Sequence, residues 1–326
     1  MQPFIYVAGE ATETAVALHA QPATEYLAGG TTLIDLMKLH VMTPSRVVDL
    51  TALPLRSIVD HGDRIEIGAL ATNSEMAHHP AIVQQVPMVS QALLAGASVQ
   101  IRNVATAAGN MLQRTRCQYF RDITARCNKR APGTGCDAVG GYTRMHAIVG
   151  TSDHCLASHP SDLCVALMAS AATLTVQGPQ GRRAIPIGAF YTLPGERPEV
   201  EHVLTDGEMI VSLTLPAPGW FRNSAYVKIR DRSSYAFALT SAAVALDLDG
   251  QTVRNVRIAL GGIGTIPWRA VAAEQFLQGR VLTRDAIGSA ARTITAQART
   301  TPDNAFKVPL TEQTLVRALL QAGRQS

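Results

Sequence analysis

The stretch RTRCQYFRDITARCNKRAPGTGC, from Arg114 to Cys136, constrains the fold most. It carries three cysteines among arginines and lysines and has neither helical nor strand periodicity. So many cations cannot enter a packed core, because buried unpaired charge is too costly. The segment must therefore be a loop longer than ordinary connections, and loops of that length are usually functional. A catalytic thiol would need only one of these cysteines. With Cys155 and Cys164 the chain has five, too few for a disulfide scaffold in 326 residues, and the odd number leaves one unpaired. Metal or cluster ligation is the better reading.

Composition narrows the class. With 47% hydrophobic and 17% charged residues the chain can bury a sizeable core and divide into two or three domains. The net charge of +4 is small and gathers near the cysteine loop, so it indicates a locally basic site rather than a nucleic-acid partner. The opening MQPFIYVAGEATETAVALHA lacks a basic start followed by an apolar core and a small-residue cleavage site, so export unaided is not expected. The longest apolar-leaning run, Leu163 to Val176, is too short and too dotted with Ser and Thr to cross a bilayer. A soluble chain without membrane or nucleic-acid partners is expected.

The first residues alternate as strand (PFIYV), helix (ATETAVALHA), strand (EYLAGG), helix (TLIDLMKLHVM) and strand (RVVDL), which predicts a small parallel α/β unit over residues 1–53. RIEIGALAT then reads as a strand and HHPAIVQQVPMVSQALLAGAS as helix broken near Pro87, opening a second α/β unit over 54–216 that carries the loop insertion at about 114–155. Gly178–Arg222 is rich in breakers, although EMIVSLTL within it still reads as a strand. From 217 to 326 a hairpin pattern turns around Asp249-Gly250, and two or three helical stretches follow. Internal repeats and low-complexity tracts are lacking.

Two glycine-bearing stretches carry ligand chemistry. YLAGGTTLIDLMK puts Gly29 and Gly30 between a strand and a helix, where backbone amides can approach an anion such as pyrophosphate closely. It matches neither the G-x-G-x-x-G fingerprint nor the P-loop, and Thr31 or Thr32 can equally cap the helix. AGASVQIRNVATAAGNML collects Gly96, Ser98, Thr106, Gly109 and Asn110, residues suited either to a polar ligand or to a helix cap and tight turn.

In sequence order, AGGTTLIDLMK, IGALAT, QIRNVATAAGN, HPSDL and YVKIRDRSSYAFA resemble the FAD-binding subunit of the molybdenum hydroxylases, the xanthine dehydrogenase family, over nearly the whole chain. The resemblance implies an α+β fold: a FAD-binding PCMH-type (vanillyl-alcohol-oxidase-like) two-part α/β domain, then a C-terminal domain of antiparallel sheet plus helices like that of the CO dehydrogenase flavoprotein. It implies that Glu25, Tyr26, Leu27, Ala28, Gly29, Gly30, Thr31, Thr32 and Leu33 hold the FAD pyrophosphate. Thr106, Gly109 and Asn110 would add contacts, Asp162 would bind the polar part of the cofactor, Lys228 would sit beside the isoalloxazine, and Tyr235 would shield one ring face. On the residues alone, Asp162 can be an N-cap, Lys228 a strand-face cation and Tyr235 a core side chain.

QRTRC, CNKR, PGTGC and HAIVGTSDHC look like the members whose flavin subunit carries an extra [4Fe-4S] cluster, periplasmic aldehyde oxidoreductases nearest and 4-hydroxybenzoyl-CoA reductase alike in this. By that likeness Cys117, Cys127, Cys136 and Cys155 are its ligands, while Cys164 packs in an apolar helix. His146, His154 and His159 lie close enough in sequence to replace a ligand. Thiolates are the standard ligands of such clusters, and Arg116, Arg126, Lys129 and Arg130 would lower their pKa and offset the cluster's charge. The spacings alone leave cluster, zinc and unligated thiols open.

The expected function is an electron outlet without a catalytic acid or base of its own. Electrons from a molybdenum centre would pass through iron-sulfur clusters to FAD and an external acceptor, in a heterotrimer with a large molybdopterin-binding subunit and a small [2Fe-2S] subunit. Export to the periplasm would require a signal-bearing partner; a cytoplasmic location stays open. The rivals are a zinc-stabilised, non-redox assembly subunit and a free-standing FAD oxidase.

Overall fold

The computed structural model describes residues 1–324. Strand and helix alternate through the first unit as its periodicity demands: β1 (Ile5–Ala8), α1 (Thr12–His19), β2 (Thr24–Leu27), α2 (Leu33–Lys38) and β3 (Arg46–Asp49). The strands pair in the order β1-β3-β2, all parallel, which the helical crossovers allow. Central β3 buries Val47 and Val48, and α1 buries Ala15 and Val16.

The second unit is built on five strands: β4 (Ile58–Asp60), β5 (Arg64–Gly68), β6 (Thr173–Gly178), β7 (Gly181–Pro186) and β8 (Met209–Pro216). Their order is β4-β5-β8-β6-β7 and every pairing is antiparallel. Two of these strands lie in the breaker-rich Gly178–Arg222 stretch: β8, which the sequence indicates, and β7, which it does not, since GRRAIP has no apolar alternation. The unit's helices are α3 (Asn73–His78), α4 (Pro80–Gln85), α5 (Pro87–Ala95), α6 (Val99–Arg102), α7 (Ala107–Met111), α8 (Gln118–Arg121) and α9 (Asp162–Ser170). α3 starts on a capping box: Thr72 Oγ1 accepts from the Glu75 N–H at 3.2 Å, and Glu75 Oε2 accepts from the Thr72 N–H at 2.8 Å. The helical run breaks at Val86, and again at His79, where a proline follows each time. Helix α9 is apolar on all sides, from Leu163 to Ala169, because it is packed between elements of two units.

The third unit is an antiparallel sheet, order β12-β11-β10-β9, of β9 (Ser224–Ile229), β10 (Thr240–Asp249), β11 (Thr252–Gly261) and β12 (Trp268–Arg269). Asp249 pairs with Thr252, so Gly250 and Gln251 form a two-residue hairpin loop with Gly250 at φ 59. Helices α10 (Val271–Leu277), α11 (Arg284–Thr295) and α12 (Lys307–Ala322) complete its core. The core of the second unit extends across the boundary to Tyr226, Ala243, Ala245 and Ala259 of this sheet.

Apart from the single turn of α8, the insertion between α7 and α9 has no regular structure, and it touches every unit. Arg116 and Arg121 both reach Asp35 of α2 at 2.9 Å. Arg114 and Lys129 both reach Glu201, at 2.6 and 3.1 Å. Arg144 pairs with Asp231 at 2.7 Å, and the Thr143 N–H donates to Asp303 Oδ2 at 2.9 Å. The loop therefore lies where the three units meet.

Candidate cofactor site

At that junction is a cavity of about 650 Å³, within the range of small-molecule and cofactor sites. Glu25, Tyr26 and every residue from Ala28 to Leu33 line it. Leu27 turns the other way, toward Leu33, Met37 and Val47, as side-chain alternation along β2 requires. A Cβ on Gly29 would stand 1.9 Å from Val104 O, and Gly30 holds φ +68 with Ile34 Cδ1 2.6 Å from its ideal Cβ. Only glycines let this turn lie so tightly against the Val104 backbone. Thr32 occupies the N-cap position of α2 without a side-chain capping bond. The amide N–H groups of Gly29, Gly30, Thr31 and Thr32 donate to no protein acceptor among the described residues. A run of unpaired amides on a cavity wall is suited to anionic oxygens.

Thr106 and Gly109 also line this cavity; Thr106 Oγ1 caps α7 by accepting from the Gly109 N–H at 3.2 Å. Asn110 does not line it: its Oδ1 accepts from Ser161 Oγ at 2.7 Å and Gln113 Nε2 at 2.6 Å. Burial raises the pKa of the Glu25 carboxyl, only partly offset by Arg114. Tyr26 stacks on His19 with ring centroids 3.9 Å apart, and its hydroxyl is buried without a partner among the described residues, an orphan that a ligand can satisfy. Glu201 lines the same cavity, and its burial is outweighed by Lys129 and Arg114, which hold its carboxyl below the usual range.

A second cavity, of about 150 Å³, shares the wall Ser158-His159-Pro160 with the first. Asp162 lines it. The cap of α9 is Ser161, whose Oγ accepts from the Cys164 N–H at 3.1 Å, so Asp162 is the first helical residue and not the cap. Its two oxygens accept from Tyr226 OH at 2.6 Å and Lys228 Nζ at 2.7 Å. Lys228 also donates to Ala95 O at 3.2 Å; it is buried behind the cavities and borders neither, tying Asp162 to the end of α5. Arg116 Nε and His146 Nδ1, on the wall of this second cavity, are buried without partners among the described residues. Tyr235 is exposed, at φ 51, and lines neither cavity; Phe237 and Tyr191 line one each instead.

Cys117, Cys127, Cys136 and Cys155, all free thiols, line one further small cavity, with Phe120, Lys129 and His154 among the other walls. Cys127 and Cys136 pair as an isolated antiparallel bridge, and Gly133 and Gly135, at φ +82 and +97, turn the chain between them. Among the described residues no three His, Cys, Asp or Glu side chains form a ligand set for a single metal ion. Cys155 and Lys129 also line the first cavity, and Cys117 also lines the second.

At Cys117 and Cys155 the geometry does not give the expected lowering of thiol pKa by neighbouring cations. Burial pushes Cys117 up to about 12 and raises Cys155, against which Lys129 is a smaller, opposing influence. Arg116 pairs with Asp35, Arg126 with Asp137 at 2.7 Å, and Arg130 donates to the carbonyls of Tyr119 and Phe120 at 2.8 and 2.7 Å. These cations hold the loop's shape. His154 borders the thiol cavity, His146 Nε2 lies 3.1 Å from Cys117 Sγ, and His159 packs edge-on against Tyr191 at 4.7 Å. Cys164 is fully buried in the core, 2.9 Å from Tyr191 OH.

An amide-lined cavity where the units meet suits a large anionic ligand, and comparison with known proteins gives the class of that ligand. The model of the FAD binding domain in molybdopterin dehydrogenase matches residues 2–218, and that of the CO dehydrogenase flavoprotein C-terminal domain matches residues 224–322. The chain belongs to the FAD-binding subunits of the molybdopterin dehydrogenase family, and is an oxidoreductase subunit. It is 44% identical over 317 residues, 96% of each chain, to the aldehyde oxidoreductase FAD-binding subunit PaoB of Escherichia coli (strain K12). The carbon monoxide dehydrogenase medium chain of Hydrogenophaga pseudoflava is 26% identical, covering 88% of this chain and 84% of that one. A solved structure of carbon monoxide dehydrogenase from that organism superposes with a TM-score of 0.78 at 26% identity, over 99% of this chain and 98% of the other.

Proposed function

We propose that this chain is the FAD-binding electron outlet of a molybdenum-dependent aldehyde oxidoreductase, with a [4Fe-4S] cluster held by Cys117, Cys127, Cys136 and Cys155. The observation that carries the reading is the shared wall: Cys155 and Lys129 border both the thiol cavity and the amide-lined cavity. The amides of Gly29–Thr32 would hold the diphosphate, with Thr106 and Gly109 beside them. The linked second cavity, backed by the Asp162–Lys228 pair, would hold the remaining polar part of FAD near Arg116 and Phe237. FAD supplies one- and two-electron transfer when bound. The chain's residues bind and orient it, exclude water by burial, and set the charge around it through Arg114, Lys129 and Glu201.

The name of the relative at 44% identity supports the aldehyde class and a place as one subunit among several. The expected partners are a large molybdopterin-binding subunit and a small [2Fe-2S] subunit, with delivery to the periplasm by co-export on a signal-bearing partner and an external acceptor taking the electrons. Four free thiols lining one small cavity supply the donor type and number that a [4Fe-4S] cluster takes. The test is chemical analysis of anaerobically purified protein. FAD released on denaturation, together with iron and sulfide that fall in Cys127→Ser, is the expected result. Colourless protein containing zinc would mean an assembly subunit, and aldehyde turnover by the isolated chain would mean a free-standing oxidase. Unchanged iron in Cys127→Ser removes that residue from the ligand set.

A further inference from the structure

His146 is not among the proposed ligands, yet its ring lies within hydrogen-bond range of one of them. It is 3% exposed, and its Nε2 lies 3.1 Å from Cys117 Sγ. Its N–H donates to Thr143 O at 2.8 Å, and its carbonyl accepts from Lys307 Nζ at 2.9 Å. Lys307, fully buried at the start of α12, donates also to Gly262 O at 2.8 Å. The residue is thus anchored within the loop by Thr143 and from the third unit by Lys307, while its ring faces Cys117 across the loop.

We infer that His146 is a positioning residue that donates an Nε2–H hydrogen bond to the Cys117 thiolate and raises the reduction potential of the cluster. The inference rests on the cluster reading above. A thiolate bound to iron carries no proton and can only accept, so the ring nitrogen facing it must be the donor. The other nitrogen, Nδ1, is buried without a partner among the described residues, so no acceptor of theirs competes there for the proton of a neutral ring. Hydrogen bonds to cluster sulfurs are among the determinants of cluster potential. An added electron makes the cluster and its ligands more negative, so the donor stabilises the reduced form more than the oxidised one.

The experiment compares the full chain, purified anaerobically with its co-purifying subunits, as wild type, His146→Leu and His146→Gln. Iron, sulfide and FAD per chain are measured first, and then the cluster is titrated by EPR at controlled potential. His146→Leu is expected to keep its iron and FAD but to be reduced less readily, by about tenfold in the reduced-to-oxidised ratio, or ~59 mV for a one-electron couple. His146→Gln, whose amide can donate to the same sulfur, is expected to recover most of that shift. An unchanged potential in His146→Leu overturns the inference. So does a glutamine variant that behaves like the leucine one, or loss of iron from both, since each assigns His146 to packing alone. Wild-type protein without iron and sulfide overturns the cluster reading itself, an outcome distinguished by analysis before any titration.

Discussion

Replacing Gly29 by alanine tests the diphosphate cradle with a single methyl group. The new Cβ would stand 1.9 Å from Val104 O and 2.6 Å from Val104 C. Both are backbone atoms, so no rotamer relieves the clash. Reaching an ordinary contact of 3.4 Å requires the turn to retreat by about 1.5 Å. That retreat carries the adjoining amides beyond the range in which N–H···O contacts still count as hydrogen bonds. Overpacking costs about 1–3 kcal/mol, and each lost bond to a charged oxygen about 1.5–3 kcal/mol. Losing one such bond weakens FAD affinity roughly ten- to a hundredfold. The assay removes FAD, titrates it back against flavin fluorescence, and checks by circular dichroism that the variant remains folded. Gly188→Ala is the control, since a Cβ there meets nothing within 4 Å. A folded Gly29→Ala variant that binds FAD within twofold of wild type would refute the assignment of Gly29 and its neighbours to the phosphates.

Lys228→Met leaves the Asp162 carboxylate without its cation in a pair whose side chains are 3% and 11% exposed, and should lower the stability of the flavin-free chain by about 3–5 kcal/mol in urea. The double variant Asp162→Asn/Lys228→Met should regain at least half, because no buried charge is then left unpaired; a loss under ~1 kcal/mol in the single variant would contradict the burial argument. Glu208 is held down to about 2, chiefly by hydrogen bonds from Arg183. A depressed carboxyl contributes stability above its unfolded pKa of about 4.3 and loses it as pH falls through the folded value. Thermal melts of Glu208→Gln should therefore be less stable than wild type at neutral pH and converge with it near pH 2, whereas a constant gap across that range would show that the ion pair is not the cause.

How much of this is legible in the sequence depends on the distance over which each feature is decided. The first unit is built from neighbouring βα steps, so its alternation and the Gly29-Gly30 turn can be read locally. The second unit's sheet joins β5 to β8, which lies beyond the inserted loop, and nothing local in Arg64–Gly68 announces that partner. The same limit explains the cations. Along the chain Arg116 and Arg130 stand beside cysteines, but one reaches across to Asp35 and the other back to the carbonyls of Tyr119 and Phe120. Sequence proximity gives their charge but not their direction, which is why burial raises the pKa of Cys117 and Cys155 where adjacency suggests the opposite. Tyr191 and Glu201 carry no motif, and they become wall residues only once the units have met. A site assembled from three units in this way ties cofactor binding to folding. Any group held at the junction binds only the assembled state, so its binding energy adds directly to the stability of the contacts among all three.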